Sequence, residues 1–274
     1  TDLGGMAFAD YVWSKLQHIL PLLTSGEPIP PDVSKQMVDI FVMSGQSNMQ
    51  GQSESFVEFT VPVDQAYEYK LLSDSLEQVK HPFGEDIDGD IFLSAHLGRS
   101  SLSPYFAQKY YETTGVAPVL VQCAKGGTRM QQWLKSESIG EARYNKLVEK
   151  TNSAIEHVTQ NENMTLRGKY FVWLQGESDG LSSVSKEQYK DSFLEFWNDV
   201  KADCGFNKCF IIRVAKFGSA EMIPIMTAQE ELAAALFVSR TAVSKWESGR
   251  GYPSIGSLKE ISRFFSVSID DLLS

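Results

Sequence analysis

Histidine is scarce in this chain: four residues in 274, at His18, His81, His96 and His157, with none after position 157. Any chemistry that needs an imidazole base must draw on those four. Cysteine is scarcer still. Cys123, Cys204 and Cys209 are an odd number, which excludes a paired disulfide framework. A Cys204–Cys209 bridge remains open, but a reduced, cytoplasmic protein is the simplest reading. No run of roughly 18 apolar residues occurs, so no membrane-spanning helix is expected. Bases are outnumbered, 25 against 35 acids, for a net charge of −10. That excludes a protein that binds nucleic acid with its whole surface and leaves room only for a local basic patch. With 42% hydrophobic and 22% charged residues the chain is neither disordered, collagenous nor a coiled coil.

What is present reads as alternating elements. Phe8, Val12, Leu16, Ile19 and Leu20 form a helical stripe rather than a secretory leader, and Gly26 to Pro31 reads as a linker. Val38 to Met43 reads as a buried strand, and Ala66 to Leu72 as a second. The segment from His81 to Ser103 reads as loop. A helix is expected from Pro104 to Thr113, stopped by Gly115, then a strand from Val116 to Cys123. Helices over Arg143–Val158 and Lys186–Asp203 alternate with strands over Tyr170–Leu174 and Cys209–Ala215. This order predicts parallel βαβ units with ligands at the C-terminal strand ends. From Thr227 the pattern changes to short helices with tight turns.

Three small polar clusters follow three of the strands: Gly45-Gln46-Ser47-Asn48-Met49, Gly126-Gly127-Thr128, and Gln175-Gly176-Glu177-Ser178-Asp179. In a parallel sheet these strand ends lie side by side. A small exposed serine there suits a nucleophile, and glycine N–H groups and a Gln amide suit a developing oxyanion. Each cluster alone also reads as an ordinary polar turn; the three together favour a site for acyl transfer.

These motifs resemble the SGNH hydrolases, in particular the sialate O-acetylesterase and acetylxylan esterase branch, over roughly residues 38–226. The resemblance implies an α/β, three-layer flavodoxin-like fold with a parallel sheet, and removal of acetyl groups from carbohydrate. It implies Ser47 as nucleophile and Gly126, Gly127 and Gln175 as oxyanion donors beside the Ser47 N–H. Gln46, Asn48 and Glu177 would support the site, with Glu177 orienting the loops. No cofactor or metal is implied. The acidic run Glu85-Asp86-Ile87-Asp88-Gly89-Asp90 lacks the terminal Glu of a calcium loop and reads as a solvated turn. The family takes its base from an Asp-x-x-His near the domain's end, and here no histidine follows Gln175. Impaired turnover is therefore expected. His81 and His96 lie in the loop that would border the site, and His157 falls on a helix where packing is the commoner role.

The C-terminal text has a separate logic. Gln229 to Leu236 reads as a short alanine-rich helix, Val238-Ser239 as a turn, and Arg240 to Glu247 as a second helix ended by Gly249. Two short helices at a tight turn suit entry into a DNA major groove. V-S-R-T-A-V-S-K-W-E-S-G-R resembles the lambda-repressor-like, Xre-type helix-turn-helix family. That resemblance implies that Gln229, Arg240, Thr241 and Lys245 face bases of duplex DNA and that Ser239 bonds phosphate. Arg240, Lys245, Arg250, Lys259 and Arg263 are offset by Glu230, Glu231, Glu247, Glu260, Asp270 and Asp271, so phosphate attraction is weak. The family's first helix is missing.

The expected organisation is an N-terminal helix and linker (1–36), a C-terminally truncated esterase domain (37–226) and an all-α helix-turn-helix segment (227–274). The double truncation suggests a chimera joined within Thr227–Leu232, from a recombined gene, an assembly artefact or a natural fusion. The expected function is carbohydrate O-acetylester hydrolysis, impaired. Alternatives are a DNA-binding regulator and a non-catalytic carbohydrate binder.

Overall fold

A computed structural model of the chain describes residues 35–52, 57–84, 100–214 and 220–236. The expected helix over Phe8–Leu23, the acidic run at 85–90, His18, His96, and Ser239, Arg240, Thr241 and Lys245 lie outside the described residues.

Six strands form one sheet: β1 (Gln36–Gly45), β2 (Tyr67–Lys70), β3 (Ser75–Gln78), β4 (Ala117–Ala124), β5 (Met164–Leu174) and β6 (Lys208–Ile211), in the order β3-β2-β4-β1-β5-β6. All neighbours run parallel except the β2–β3 hairpin. Without that edge hairpin the order β4-β1-β5-β6 is the flavodoxin-like second-first-third-fourth, whose switch point lies between β1 and β5. β1 from Val38 and β5 from Tyr170 are largely apolar and buried, as a parallel centre covered on both faces requires. β4 is buried along its whole length.

Helices cover both faces. α1 (Ser47–Gln50) is a single turn; α2 (Ser103–Thr114), α3 (Ser138–Gln160), α4 (Glu177–Leu181), α5 (Lys186–Cys204) and α6 (Ile223–Leu236) follow. On one face Phe106 and Tyr110 of α2 meet Phe41 edge-on, with ring centroids 5.0 and 4.8 Å apart. On the other, Phe193 and Phe196 of α5 pack on Trp173 at 5.9 and 5.1 Å, and Tyr144 of α3 reaches Phe196. Local signals set the boundaries. Ser185 and Gln188 form a reciprocal capping box at the start of α5. Gly115 and Gly205 end α2 and α5 in left-handed conformation at φ 68° and 67°.

Among the described residues the expected strands and helices are present; most are longer than the sequence suggests, but the strands expected over Ala66–Leu72 and Cys209–Ala215 shrink to Tyr67–Lys70 and Lys208–Ile211. β3 and the short helices α1 and α4 are additional, being too short to carry a period. α6 begins at Ile223 and runs unbroken across the expected domain boundary at 226/227. Pro224 sits at the start of that helix, where a proline needs no partner for its missing N–H. The cysteines are all free and buried. Among the described residues no helix is long and apolar enough to cross a membrane.

Candidate active site

Three loops converge at the C-terminal ends of β1, β4 and β5, around the switch point. The first holds Ser47. Gly45 ends β1 at φ 139°, and a Cβ there would fall within 2.6 Å of Leu174 C and still closer to Leu174 O. Only glycine lets β1 approach β5 this tightly. The Gln46 N–H then donates to Leu174 O at 2.9 Å, and the chain turns into α1. Ser47 is the first residue of that helix, half-buried, with its carbonyl accepting from Gly51 N–H at 2.9 Å. The Ser47 N–H donates to no described residue, as expected of the first helical amide.

The second loop lies directly over the serine. A Cβ on Gly126 would sit 3.5 Å from Ser47 Cβ. The Gly126 N–H is engaged, donating to Gln50 Oε1 at 2.8 Å. Gly127 differs: its φ is 74°, open space surrounds its Cβ position, and its N–H donates to no described residue. Of the expected glycine pair, Gly127 holds the available donor, while Gly126 supplies room. Thr128 Oγ1 donates to Lys125 O at 2.8 Å and accepts from Trp133 Nε1 at 3.0 Å, which closes the loop.

The third loop is held by buried amides. Gln175 is fully buried, and its Nε2 donates to Thr128 O at 2.8 Å, with Gln46 Oε1 at 3.3 Å and the Asp179 carboxylate beside it. Both of its amide hydrogens are committed to acceptors from all three loops, so Gln175 serves as their tie rather than as an open oxyanion donor. Gln46 Oε1 also accepts from Ser178 N–H at 3.2 Å and Gly176 N–H at 3.4 Å. Asn48 Nδ2 donates to Glu177 Oε1 at 2.5 Å, bridging the first and third loops. Glu177 Oε2 is buried without a partner. Burial raises the Glu177 carboxyl above its ordinary value, against the Asn48 bond that lowers it. Asp179 is raised for the same reason, although Gln175 and the Met130 N–H, at 3.0 and 3.1 Å from its two oxygens, favour its charge.

Among the described residues no histidine is hydrogen-bonded to the Ser47 hydroxyl. His81 is buried; its Nδ1 accepts from Ser101 N–H at 3.3 Å and its ring packs on Tyr105 and Phe59. Burial pushes its pKa down to about 4. His157 lies on α3 with Nδ1 3.1 Å from Asp74 Oδ1, lining a 620 Å³ cleft with Tyr69, Glu156 and Asn161. No group of three or more potential ligands for a metal ion occurs among the described residues.

Four contributors were not singled out from the sequence. Gln50 joins the first two loops, Gln122 Nε2 donates to Gln50 O at 3.0 Å, and Tyr189 OH donates to Gln175 O at 3.0 Å. Asp179 is the fourth. Gln122, the lone polar side chain in an otherwise apolar strand, was the readable signal. Gln229, expected to face DNA bases, is turned inward in this fold and only 1% exposed. Its Nε2 donates to Gln175 O at 2.6 Å, with Tyr189 OH at 3.2 Å, and its Oε1 accepts from Val214 N–H at 2.9 Å. A helix that packs its apolar stripe on this domain carries Gln229 in with it.

The fold and the three loops define an α/β protein of the three-layer SGNH type. The family described as carbohydrate esterase, sialic acid-specific acetylesterase matches residues 37–245, and the chain belongs to it. A helix-turn-helix family matches residues 224–272. The chain is 27% identical over 203 residues to the probable carbohydrate esterase At4g34215 of Arabidopsis thaliana, covering 69% of this chain and 70% of that protein. The solved structure of that Arabidopsis protein superposes with a TM-score of 0.53 at 20% identity, over 71% of this chain and 81% of the other. The crystal structure of NanS gives a TM-score of 0.51 at 13% identity, over 74% and 75% of the two chains. At the other end, 46 residues are 72% identical to the HTH-type transcriptional activator BcrR of Enterococcus faecalis; they are 17% of this chain and span only 22% of that activator.

Proposed function

We propose that the chain hydrolyses O-acetyl esters of carbohydrate slowly, with Ser47 as nucleophile. The observation that carries this reading is the placement of Ser47 at the β1–β5 switch point, under Gly126 and among three loops tied by buried amides. The Ser47 oxygen attacks the acetyl carbonyl, the sugar alcohol leaves, and water then releases acetate from the acetyl-serine. The Ser47 and Gly127 N–H groups are the open donors for the oxyanion. With no Asp-x-x-His in the sequence, this reading passes the serine proton to solvent, which makes turnover slow. The test compares wild type with Ser47→Ala on an activated acetyl ester. Slow acetate release by wild type, abolished in Ser47→Ala, is expected; equal rates would refute the reading.

A second reading has its own support. The helix-turn-helix match and the identity to BcrR favour a narrow, salt-sensitive contact with duplex DNA through the segment after 227. The organisation that accommodates both is an esterase domain from 37 joined to that segment, within a chimeric chain. Loss of gel-shift binding in Arg240→Ala combined with Lys245→Ala is expected, and an unchanged shift would remove this reading. A sugar titration of the Ser47→Ala protein distinguishes both from a non-catalytic carbohydrate binder.

A further inference from the structure

The two family matches overlap: one runs to residue 245 and the other starts at 224, so α6 belongs to both. Its contacts belong to one. Ile225, Ala228 and Leu232 are buried, and together with Gln229 they make the inward face. Gly176 is shaped to receive that face: at φ 142°, a Cβ on it would meet Ile225 Cγ2 at 2.6 Å and Gln229 Nε2 at 3.1 Å. The outward residues are committed too. Glu231 pairs with Lys186 at 2.8 Å and with Lys190, and Glu230 pairs with Arg213. An amphipathic helix has a single apolar stripe. A helix-turn-helix segment needs that stripe to close its own small core, because about 50 residues bury little apolar surface. Past Leu236 the sequence supplies further apolar residues, among them Val243, Trp246, Leu258 and Ile261, and the family match that contains them begins inside α6 and takes in Leu232.

We propose that α6 is a shared element with two exclusive duties. Docked, it delivers Gln229 as a positioning residue that holds Gln175 O, and through it the loop of Glu177 and Asp179. Released, it gives Leu232 and its neighbours to the DNA-contacting segment. The site is intact only while that segment is deprived of its helix, and DNA binding draws α6 away from Gly176. The docked duty rests on the acetylesterase reading; the competition for α6 does not.

The test uses the full chain and a duplex pool of randomised sequence at low salt. Two variants weaken docking. Ile225→Asp places a carboxylate in a buried apolar slot, and Gly176→Ala pushes a methyl against Ile225 while leaving α6 unaltered, so either serves if the other fails to fold. The reporter is exchange of the Val214 amide, whose acceptor is the Gln229 side chain. Both variants are expected to bind the pool about 10-fold more tightly than wild type, as a shifted docking equilibrium requires. Duplex is expected to accelerate Val214 exchange in wild type. In the kinetic arm the variants lose kcat for an activated acetyl ester with KM little changed. Duplex binding no tighter in either variant than in wild type, or wild-type binding with Val214 still protected, overturns the proposal. If wild type hydrolyses no faster than Ser47→Ala, the acetylesterase reading fails, and the binding and exchange arms still decide the competition.

Discussion

Replacing Gly45 by alanine tests whether the close approach of β1 to β5 builds the site. The new methyl would sit within 2.6 Å of Leu174 C and 3.0 Å of Leu174 N. Neither atom can yield, because both belong to the backbone of a central strand. The φ of 139° is itself unfavourable for a residue with a Cβ, at about 1–3 kcal/mol. Relief requires the strand ends to part. That breaks the Gln46 N–H bond to Leu174 O and strains the Lys125 N–H bond to Gly45 O, each 2.9 Å long and worth about 1 kcal/mol. The combined cost is about 3–5 kcal/mol, or a fall in Tm of roughly 10 °C for a domain of this size. Gly127→Ala is the matched control. It has positive φ as well, 74°, but nothing lies within 4 Å of the added methyl. Its cost is the backbone conformation alone, about 1–2 kcal/mol. Thermal melts followed by circular dichroism should therefore separate the pair by several degrees, with Gly45→Ala the lower. Equal melting temperatures would refute the steric reading of the β1–β5 contact.

Other outcomes follow from buried groups. The Glu177 carboxyl is raised by burial, so its ionisation opposes folding: the protonated form is favoured at low pH, and that advantage is lost as pH rises through the folded-state value. Glu177→Gln keeps an acceptor for Asn48 and should be more stable than wild type at pH 7, by about 1 kcal/mol, with the gain vanishing in acid; urea titrations at both pH values check this. His81 has the opposite sense, its pKa lowered to about 4 by burial. It contributes stability above its unfolded value near 6.5, lost as pH falls toward 4, and amounting to about 3 kcal/mol at most. His81→Phe should flatten that part of the pH–stability curve, and an unchanged slope would place the proton elsewhere. The three cysteines are free and buried, with the Cys204 thiol pushed up to about 12. A disulfide-exchange reagent should find none in the native chain and three after denaturation; one fast native thiol would contradict the packing.

How much of this was legible depended on what each residue's neighbours had to be. Apolar runs such as Val38–Met43 and Val116–Cys123 can be buried in only a few ways, so the strands and their parallel order were readable from spacing alone. Gly115 marked the end of α2 because a left-handed glycine cap acts locally. The β3 strand and the single-turn helices lack length for a period and could not be read. The convergence of Ser47, Gly126 and Gln175 was also legible, since topology puts three strand ends together. Their division of labour was not. Gln46, Gln50, Gln122, Gln175 and Gln229 are the same amide in the sequence, and only packing decides which of its hydrogens stay available.

Gln229 shows the limit most sharply. Its neighbours in the chain, Glu230, Glu231 and Leu232, suit either a DNA-contacting helix or one that packs on a sheet, and a local pattern cannot choose between two faithful readings. The choice is made outside the helix by Val214 N–H, which needs the Gln229 acceptor, by Gln175 O, which takes Gln229 as a second donor beside Tyr189 OH, and by Gly176, which leaves room for both. A buried N–H left unpaired costs about 1–3 kcal/mol, and the apolar stripe of Ile225, Ala228 and Leu232 adds more by its burial. A near-neutral segment of about 50 residues offers α6 less on both counts. The balance therefore favours docking.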